Sequence, residues 1–342
     1  MQKFLIIQTA FIGDVVLATP LIEKLHVFFP DAEIDFLLRK GNEQLLRGHP
    51  SIHEILIWDK KKNKQANLFR MLARIRMKKY DKVINLQRFF ATGLLTAFSG
   101  AMESIGFDKN PLSFSFSKKI KHLVGGVRAV HETERNLELI RDFTDNSIFK
   151  PRLYPAPSDF AFVDALTDSK FITLSPASVW FTKQFPASQW ISFIKSVPTG
   201  YEIYLLGGPD DVPLCISIRE ACQRSDLKVL AGTLSFLQSA ALMSRACMNY
   251  VNDSAPMHFA SAMNAPVTAI YCSTVPGFGF GPLSDISRIV EIDQALYCRP
   301  CGLHGYKACP EGHFRCALEI RQEQLFNTLP DKLENSVPPK AG

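Results

Sequence analysis

An aspartate follows the first apolar stretch of the chain, at a position where a carboxylate could do chemistry. The segment FLIIQTAFIGDVVLATPLIEKL (residues 4–25) has the pattern of a strand, a loop and an amphipathic helix, and Gly13 and Asp14 lie where the helix should begin. Gly13 is expected to allow a tight turn there. Asp14 is suited to cap the helix, a role that contributes about 1 kcal/mol. The alternative role is that of a general base that takes a proton from a hydroxyl.

Hydroxyls and a lysine follow a second apolar stretch in the middle of the chain. The segment SPASVWFTKQFPASQW (residues 175–190) places Ser178, Thr182 and Lys183 between a predicted strand and a predicted helix. In a parallel α/β domain, ligands bind where such loops leave the carboxyl ends of the strands. Lys183 could therefore pair with a phosphate as a point charge, and a surface lysine is the alternative.

The segment YVNDSAPMHFASAM (residues 250–263) offers a second set of polar groups after a strand. Asp253 and Ser254 end the predicted strand, and His258 lies one turn into the next helix. The backbone N–H groups of Ser254 to Met257 are expected to form an anion site suited to a diphosphate. On its own, His258 fits an ordinary helix residue better than a catalyst.

Four of the eight cysteines cluster late in the chain. The stretch CRPCGLHGYKACPEGHFRC contains Cys298, Cys301, Cys309 and Cys316. This spacing is compatible with a closed structural zinc site. Free thiols are the alternative, and disulfides are less expected in a cytoplasmic protein.

The charge of the chain is concentrated in its first half. The net charge is +6 over 342 residues, of which residues 1–150 carry +8 (24 basic minus 16 acidic residues) and the remainder −2. Lys60, Lys61, Lys62 and Lys64 form one basic cluster, which favours an acidic partner such as a glycolipid or an anionic membrane surface. Motifs typical of nucleic-acid binding are missing, so nucleic acid is not expected.

Since no apolar run approaches about 20 residues and no signal-peptide cleavage site is recognisable, a cytoplasmic location is expected.

Apolar runs alternate with helical patterns along the whole chain. This alternation predicts an α/β protein with two doubly wound domains that face each other across a central cleft. The proline-containing stretch at 151–160 is the predicted linker, so the expected domains span residues 1–155 and 156–330, followed by a loose tail at 331–342. A short helix is predicted near 42–48, and one long final helix at 318–329.

The motifs around Gly13-Asp14, the TKQFP segment and NDSAPMHFASAMNAPVTAIY together resemble glycosyltransferase family 9, the ADP-heptose:lipopolysaccharide heptosyltransferases. The resemblance implies a GT-B fold and an inverting reaction that needs no metal or cofactor. It also implies an N-terminal domain that binds the acceptor and a C-terminal domain that binds the nucleotide-sugar.

The resemblance also implies roles for individual residues. The family's catalytic aspartate corresponds to Asp14, and its phosphate-binding lysine to Lys183. Ser178 and Thr182 lie in the same donor loop. The family's donor-binding segment falls on Asp253, Ser254, Ala255 and His258, where Ala255 replaces the usual glycine.

The expected reaction is transfer of a heptose from ADP-heptose to a lipopolysaccharide core acceptor, Kdo-lipid A or its heptosylated form. Gly13 and the Lys60–Lys64 cluster are candidate acceptor-binding residues, and peripheral attachment to the cytoplasmic face of the inner membrane is expected. Two alternatives are a nucleotide-sugar epimerase of the same fold, which turns over donor without acceptor, and a non-catalytic member that binds a glycolipid or a zinc-held partner. The basic N-terminal half argues against the epimerase, because an enzyme that acts on a soluble sugar has no need of a basic surface.

Overall fold

The computed structural model describes residues 1–123, 130–166 and 169–330, so the predicted tail at 331–342 lies outside the described residues. The chain separates into two compact units, residues 1–154 (unit 1) and the residues from Pro155 onward (unit 2). Within the described ranges, no helix is both long and apolar enough to cross a membrane.

Unit 1 is built on a parallel six-stranded sheet in the order β3-β2-β1-β4-β5-β6. Its first strand lies in the middle, where Leu5 pairs with Asp35 on one side and Val83 on the other. Helices cover both faces, which explains why Phe4 to Ile7 form an unbroken apolar run. The strands are β1 (Lys3–Ile7), β2 (Glu33–Arg39), β3 (Glu54–Trp58), β4 (Lys82–Asn85), β5 (Glu103–Phe107) and β6 (Lys118–Ile120).

Four helices pack on this sheet, two on each face. The helices are α1 (Ile12–Phe28), α2 (Lys64–Lys78), α3 (Phe90–Ala97) and α4 (Glu132–Glu138). The pair α1 and α4 contact each other, as do α2 and α3. Leu5 and Ile7 of β1 pack with Met71 and Ile75 of α2, whereas Phe4 lies against Phe29 at the end of α1. Alternate side chains of one strand therefore fill two separate cores.

Unit 2 has the same winding. Its parallel six-stranded sheet has the order β12-β11-β10-β7-β8-β9, with the first strand of the unit again beside the fourth. The strands are β7 (Phe171–Ser175), β8 (Glu202–Leu205), β9 (Leu227–Val229), β10 (Met248–Asn252), β11 (Val267–Tyr271) and β12 (Ser287–Glu291). The helices are α5 (Pro157–Asp164), α6 (Ala187–Ser196), α7 (Val212–Cys222), α8 (Phe236–Arg245), α9 (Ala255–Ala262), α10 (Arg315–Leu318) and α11 (Gln322–Phe326).

Short 3₁₀ turns complete the fold, and one of them forms where a short helix is predicted. The turns are Glu43–Leu45, Ser113–Ser115, Arg141–Phe143, Phe181–Lys183, Pro209–Asp211 and Pro276–Phe278. The short helix predicted near 42–48 forms as the first of these 3₁₀ turns and not as an α-helix. Its residues close single i→i+3 bonds, such as Leu46 N–H to Glu43 O at 3.3 Å, instead of a continuing α-helix.

The prediction of one continuous final helix at 318–329 is wrong. It is split into α10 and α11, because Arg321 leaves the helical region with ψ of 138°. The N–H of Arg321 donates to Oε1 of Gln324 at 3.0 Å, and this bond starts a new helix. The apolar periodicity continues across the break, since Ile320 and Leu325 are both buried.

The strand order of each unit reverses between its first and fourth strands. In unit 1 this point lies between β1 and β4, and in unit 2 between β7 and β10. Such a reversal opens a crevice at the carboxyl ends of the strands, which is where ligands bind in doubly wound folds. The loops after β1, β7 and β10 carry the predicted site residues apart from the Lys60–Lys64 cluster, which follows β3.

Candidate active site

Asp14 is the third residue of α1 and caps that helix. Its Oδ2 accepts the N–H of Phe11 at 3.1 Å. Gly13 lies inside the first turn of the helix, so the expected tight turn at Gly13 does not exist. Burial, followed by the nearby carboxylate of Glu132, raises the pKa of Asp14 to about 6. A carboxyl with this pKa is a suitable base near neutral pH.

Glu132 is a buried carboxylate in the first turn of α4. Arg135 Nε donates to its Oε2 at 2.6 Å, and Nε2 of His122 lies 3.8 Å from the same oxygen. Burial raises the pKa of Glu132, but the bonds from His122 and Arg135 outweigh burial, and the pKa is below its ordinary value. Glu132 therefore stays ionised and opposes ionisation of Asp14.

Lys60 contacts the loop between β1 and α1. Its Nζ donates to Thr9 Oγ1 at 2.7 Å and to the Thr9 carbonyl at 3.2 Å, and it lies 4.8 Å from the centroid of the Trp58 ring. Burial, followed by repulsion from Arg39 and Lys64, lowers the pKa of Lys60 to about 8.

The other three predicted lysines differ from Lys60, because Lys61, Lys62 and Lys64 are exposed. The backbone N–H groups of Lys61 and Lys62 donate to Asp59 Oδ1 at 3.0 and 3.2 Å, which fixes the turn while their side chains remain at the surface. Of the predicted cluster, the structure thus brings only Lys60 to the loop that leads to Asp14.

In unit 2, Lys183 and Asp253 form an ion pair at the strand reversal. Lys183 Nζ lies 2.7 Å from Asp253 Oδ2, and both side chains are mostly buried. Thr274, which follows β11, donates its hydroxyl to the same Oδ2 at 2.6 Å. Because an ammonium group has three donors, Lys183 can bind an anionic ligand while it remains paired with Asp253.

Asn252 joins the two loops that carry this pair. Its side chain is fully buried at the end of β10 and donates to the carbonyl of Pro176 at 2.8 Å. Its Oδ1 accepts the N–H of Phe185 at 3.0 Å. The side-chain amide of Asn252 thus bonds to this loop both before and after Lys183 in the chain.

The stretch Gly305–Tyr306, termed here the lysine buttress, packs against the base of the Lys183 side chain. Thr182 Oγ1 accepts from the N–H of Tyr306 at 2.8 Å and from the hydroxyl of Ser273 at 3.0 Å. Gly305 has φ of +74°, and a Cβ built there would lie 2.9 Å from Thr182 Oγ1 and 3.0 Å from Lys183 Cγ. Glycine is therefore required both by the backbone and by the close approach.

The start of α9 has fewer available backbone N–H groups than the sequence predicts. Pro256 has no N–H, and the N–H of Met257 donates to the carbonyl of Ser254 at 3.1 Å. Two of the four expected donors are therefore not available. His258 is buried one turn further along the helix, and Ser178 is half-buried in the loop after β7.

The structural zinc site at the four late cysteines stays a prediction. All eight cysteines of the chain are free thiols. Among the residues that the structure describes, no group of three or more Cys, His, Asp or Glu side chains is placed to hold a metal ion. Cys316 lies in the apolar core of unit 2, where burial, followed by the neighbouring thiols of Cys301 and Cys309, raises its pKa to about 12. The Cys298 thiol also raises this pKa, so the four late thiols lie close to one another.

The model of Glycosyltransferase family 9 (heptosyltransferase) matches residues 68–305. The chain belongs to this family. Among curated relatives it is 29% identical over 282 residues to the lipopolysaccharide heptosyltransferase 3 of Escherichia coli, covering 77% of this chain and 82% of the relative. The family assignment makes the protein a glycosyltransferase, and the epimerase alternative is not supported.

Solved structures show the same fold. The ADP-heptose lps heptosyltransferase II of E. coli superposes with a TM-score of 0.81 at 20% identity, covering 98% of this chain and 99% of that chain. The E. coli heptosyltransferase WaaC with ADP-2-deoxy-2-fluoro heptose gives 0.67 at 17% identity, covering 85% and 93%. The predicted GT-B fold with two doubly wound α/β units is confirmed.

Four residues of this glycosyltransferase's candidate site are not apparent from the sequence. Asn252 and Thr274 could have been found, because each lies at or just after the carboxyl end of a strand. Glu132 and Gly305 carry no comparable signal. Their roles depend on contacts with residues more than 100 positions away in the chain.

Proposed function

We propose that this glycosyltransferase transfers a heptose from ADP-heptose to a lipopolysaccharide core acceptor, Kdo-lipid A or its heptosylated form, with inversion and without a metal ion. The observation that carries the proposal is the Lys183–Asp253 ion pair at the strand reversal of unit 2. The names of the relatives support the sugar, the nucleotide and the acceptor class.

Unit 2 provides the groups for the donor. Lys183 binds the diphosphate of ADP-heptose and stabilises the negative charge that ADP carries as it leaves, a role that a divalent ion fills in other enzymes. Ser254 and Ala255 lie at the start of α9 and complete the anion site. Thr182, through the lysine buttress, fixes the direction of the lysine. Ser178 and His258 contact the rest of the nucleotide-sugar.

Unit 1 provides the base and the acceptor site. Asp14 accepts the proton of the acceptor hydroxyl while that oxygen forms a bond to the anomeric carbon. The bond from the same carbon to the phosphate oxygen breaks with its electron pair, and ADP departs from the opposite face. Gly13 and the basic cluster headed by Lys60 bind the acceptor, whose phosphates and Kdo carboxylates complement their charge. This acceptor places the protein at the cytoplasmic face of the inner membrane.

The test is incubation of the purified protein with ADP-heptose and either Kdo-lipid A or heptosylated Kdo-lipid A. Mass spectrometry reports transfer, and the anomeric configuration of the product, read by NMR, reports inversion. Transfer is expected to continue in the presence of EDTA. The variants Asp14→Asn and Lys183→Ala are expected to lose at least about a hundredfold of the rate.

The two variants distinguish the two halves of the proposal. Asp14→Asn keeps an oxygen that can cap α1, so its loss of rate reports the base and not the fold. It should still bind ADP, whereas Lys183→Ala should not. Absence of transfer to both acceptors by the wild-type protein, or full activity of Asp14→Asn, would contradict the proposed reaction.

A further inference from the structure

Helix α2 exposes an apolar stripe next to its buried one. Leu68, Met71, Leu72 and Ile75 pack toward the sheet of unit 1. Phe69 and Met77 lie two turns apart on a different side of the helix, and they are 62% and 76% exposed. A single exposed apolar side chain is common, but two large ones aligned on one helix call for a partner.

The neighbouring element extends this stripe into a surface. Phe98, at the end of α3, is 56% exposed, and Met102 is 81% exposed. Arg76 of α2 donates from Nη1 to the carbonyl of Phe98 at 3.1 Å, which places the two helix ends side by side. The N–H of Met102 donates to the carbonyl of Tyr80 at 3.3 Å, just beyond the end of α2. We term the surface formed by Phe69, Met77, Phe98 and Met102 the α2–α3 face.

Helix α2 and the loop before it carry an excess of positive charge, although Glu54 pairs with Arg74 and Lys78. Between Lys60 and Lys79 the chain has nine Lys and Arg residues and neither Asp nor Glu. Arg70 donates to the amide oxygen of Asn67 at 3.1 Å, and Arg76 donates to a carbonyl, so these contacts leave both guanidinium charges in place. Arg70 and Arg76 flank the apolar stripe on the same helix.

We propose that the α2–α3 face binds an anionic phospholipid surface, with its apolar side chains inserted at the level of the headgroups and its arginines paired with lipid phosphates. The combination of large exposed apolar side chains and basic residues fits such a surface. A second copy of the chain on the same face is disfavoured, because two surfaces that each carry an excess of positive charge would repel each other. The inference gives the membrane attachment of the proposed function a location, and it needs neither donor nor acceptor to be tested.

The experiment is flotation of the full-length protein with vesicles of phosphatidylcholine alone or mixed with an equal amount of phosphatidylglycerol, without ADP-heptose or lipopolysaccharide. The wild-type protein is expected to float with the phosphatidylglycerol vesicles and to be released by salt. The double variant Phe69→Ser with Phe98→Ser and the double variant Arg70→Gln with Arg76→Gln are each expected to bind at least about tenfold more weakly.

A matched control is Phe162→Ser in α5 of unit 2, where the ring is 42% exposed. It should bind the vesicles like the wild type. Unchanged ADP affinity in all variants shows that they are folded, and it keeps this test separate from that of the proposed transfer. The inference is overturned if the wild type stays with the soluble fraction, if the vesicles without phosphatidylglycerol bind it equally, or if Phe162→Ser is as defective as the α2–α3 variants.

Discussion

At the scale of single residues, Asp14 has a structural task and, in the proposed reaction, a chemical one. It accepts the N–H of Phe11, and it is held beside an ionised Glu132 in surroundings that disfavour its own charge. A helix cap needs only an oxygen, whereas a base needs an available lone pair and a pKa near the working pH. The raised pKa of Asp14 serves the second task. It weakens the first only slightly, because a protonated carboxyl still has an acceptor oxygen.

The first prediction concerns the pH dependence of the wild-type enzyme. The base must be ionised, and its pKa is raised to about 6. The value of kcat/KM should therefore rise tenfold per pH unit below pH 6 and level off above it. A pH series of kcat/KM for the acceptor, measured at saturating donor, reports this limb. Asp14→Asn should lose about a hundredfold or more of the rate and show no such limb. A wild-type limb near pH 4 would contradict the assignment.

The second prediction tests the coupling between Asp14 and Glu132. Glu132→Gln removes a like charge, so the pKa of Asp14 should fall and the acidic limb should move to lower pH. Activity at pH 5 should rise relative to the plateau even if the plateau itself is lower. Glu134→Gln is the control, because Glu134 lies in the same turn of α4 but is exposed. Equal shifts in both variants would show that the effect comes from the helix and not from Glu132.

At the scale of elements, the positions of the loops that carry the candidate site could be predicted from the sequence. The contacts between those loops could not. The strands before Asp14, Lys183 and Asp253 could be predicted because a buried parallel strand leaves an apolar run followed by polar residues. The break between α10 and α11 could not, since apolar periodicity persists across it. The lysine buttress could not either, because a glycine in a cysteine-rich loop gives no indication of which distant side chain it contacts.

The third prediction isolates the lysine buttress. Gly305→Ala should raise the KM for ADP-heptose and the Kd for ADP about tenfold, because its methyl group would displace Lys183 Cγ. Gly312→Ala is the matched control: Gly312 has φ of +73°, and a Cβ added there would have no atom within 4 Å. Both variants carry a similar backbone strain of about 1–2 kcal/mol and should show similar losses in Tm. Equal loss of ADP affinity in both would contradict the role of the buttress.

At the scale of the whole molecule, one winding pattern is used twice for two different charges. The reversal in unit 1 presents a carboxylate on α1, and the reversal in unit 2 presents a lysine. The net charge has the opposite distribution: the first half of the chain, which presents the carboxylate, is the basic half. In the proposed function, the groups at the two reversals serve the transfer step, and the overall basic charge of the first half serves binding of the acidic acceptor.

The fourth prediction assigns the nucleotide to one unit. In the full-length protein, saturating ADP should slow amide hydrogen exchange at least about tenfold in the segments 176–186 and 253–258, since ligand binding stabilises the structure that it contacts. The segment 8–14 after β1 should change much less. Hydrogen exchange monitored by mass spectrometry measures both. Protection confined to 8–14 would exclude unit 2 as the donor unit.

The position of the lysine buttress has a consequence for how this enzyme can be recombined. The proposed donor site combines residues 182 and 183 near the start of unit 2 with residues 305 and 306 near its end, and nearly all of the second sheet lies between them in the chain. Consider a chimera that takes the loop with the lysine from a relative but keeps this chain's late segment. Gly305 would then face a different loop, although its close approach fits the loop of this chain. Exchange of donor preference between members is therefore expected to succeed only when the late segment is transferred together with the loops.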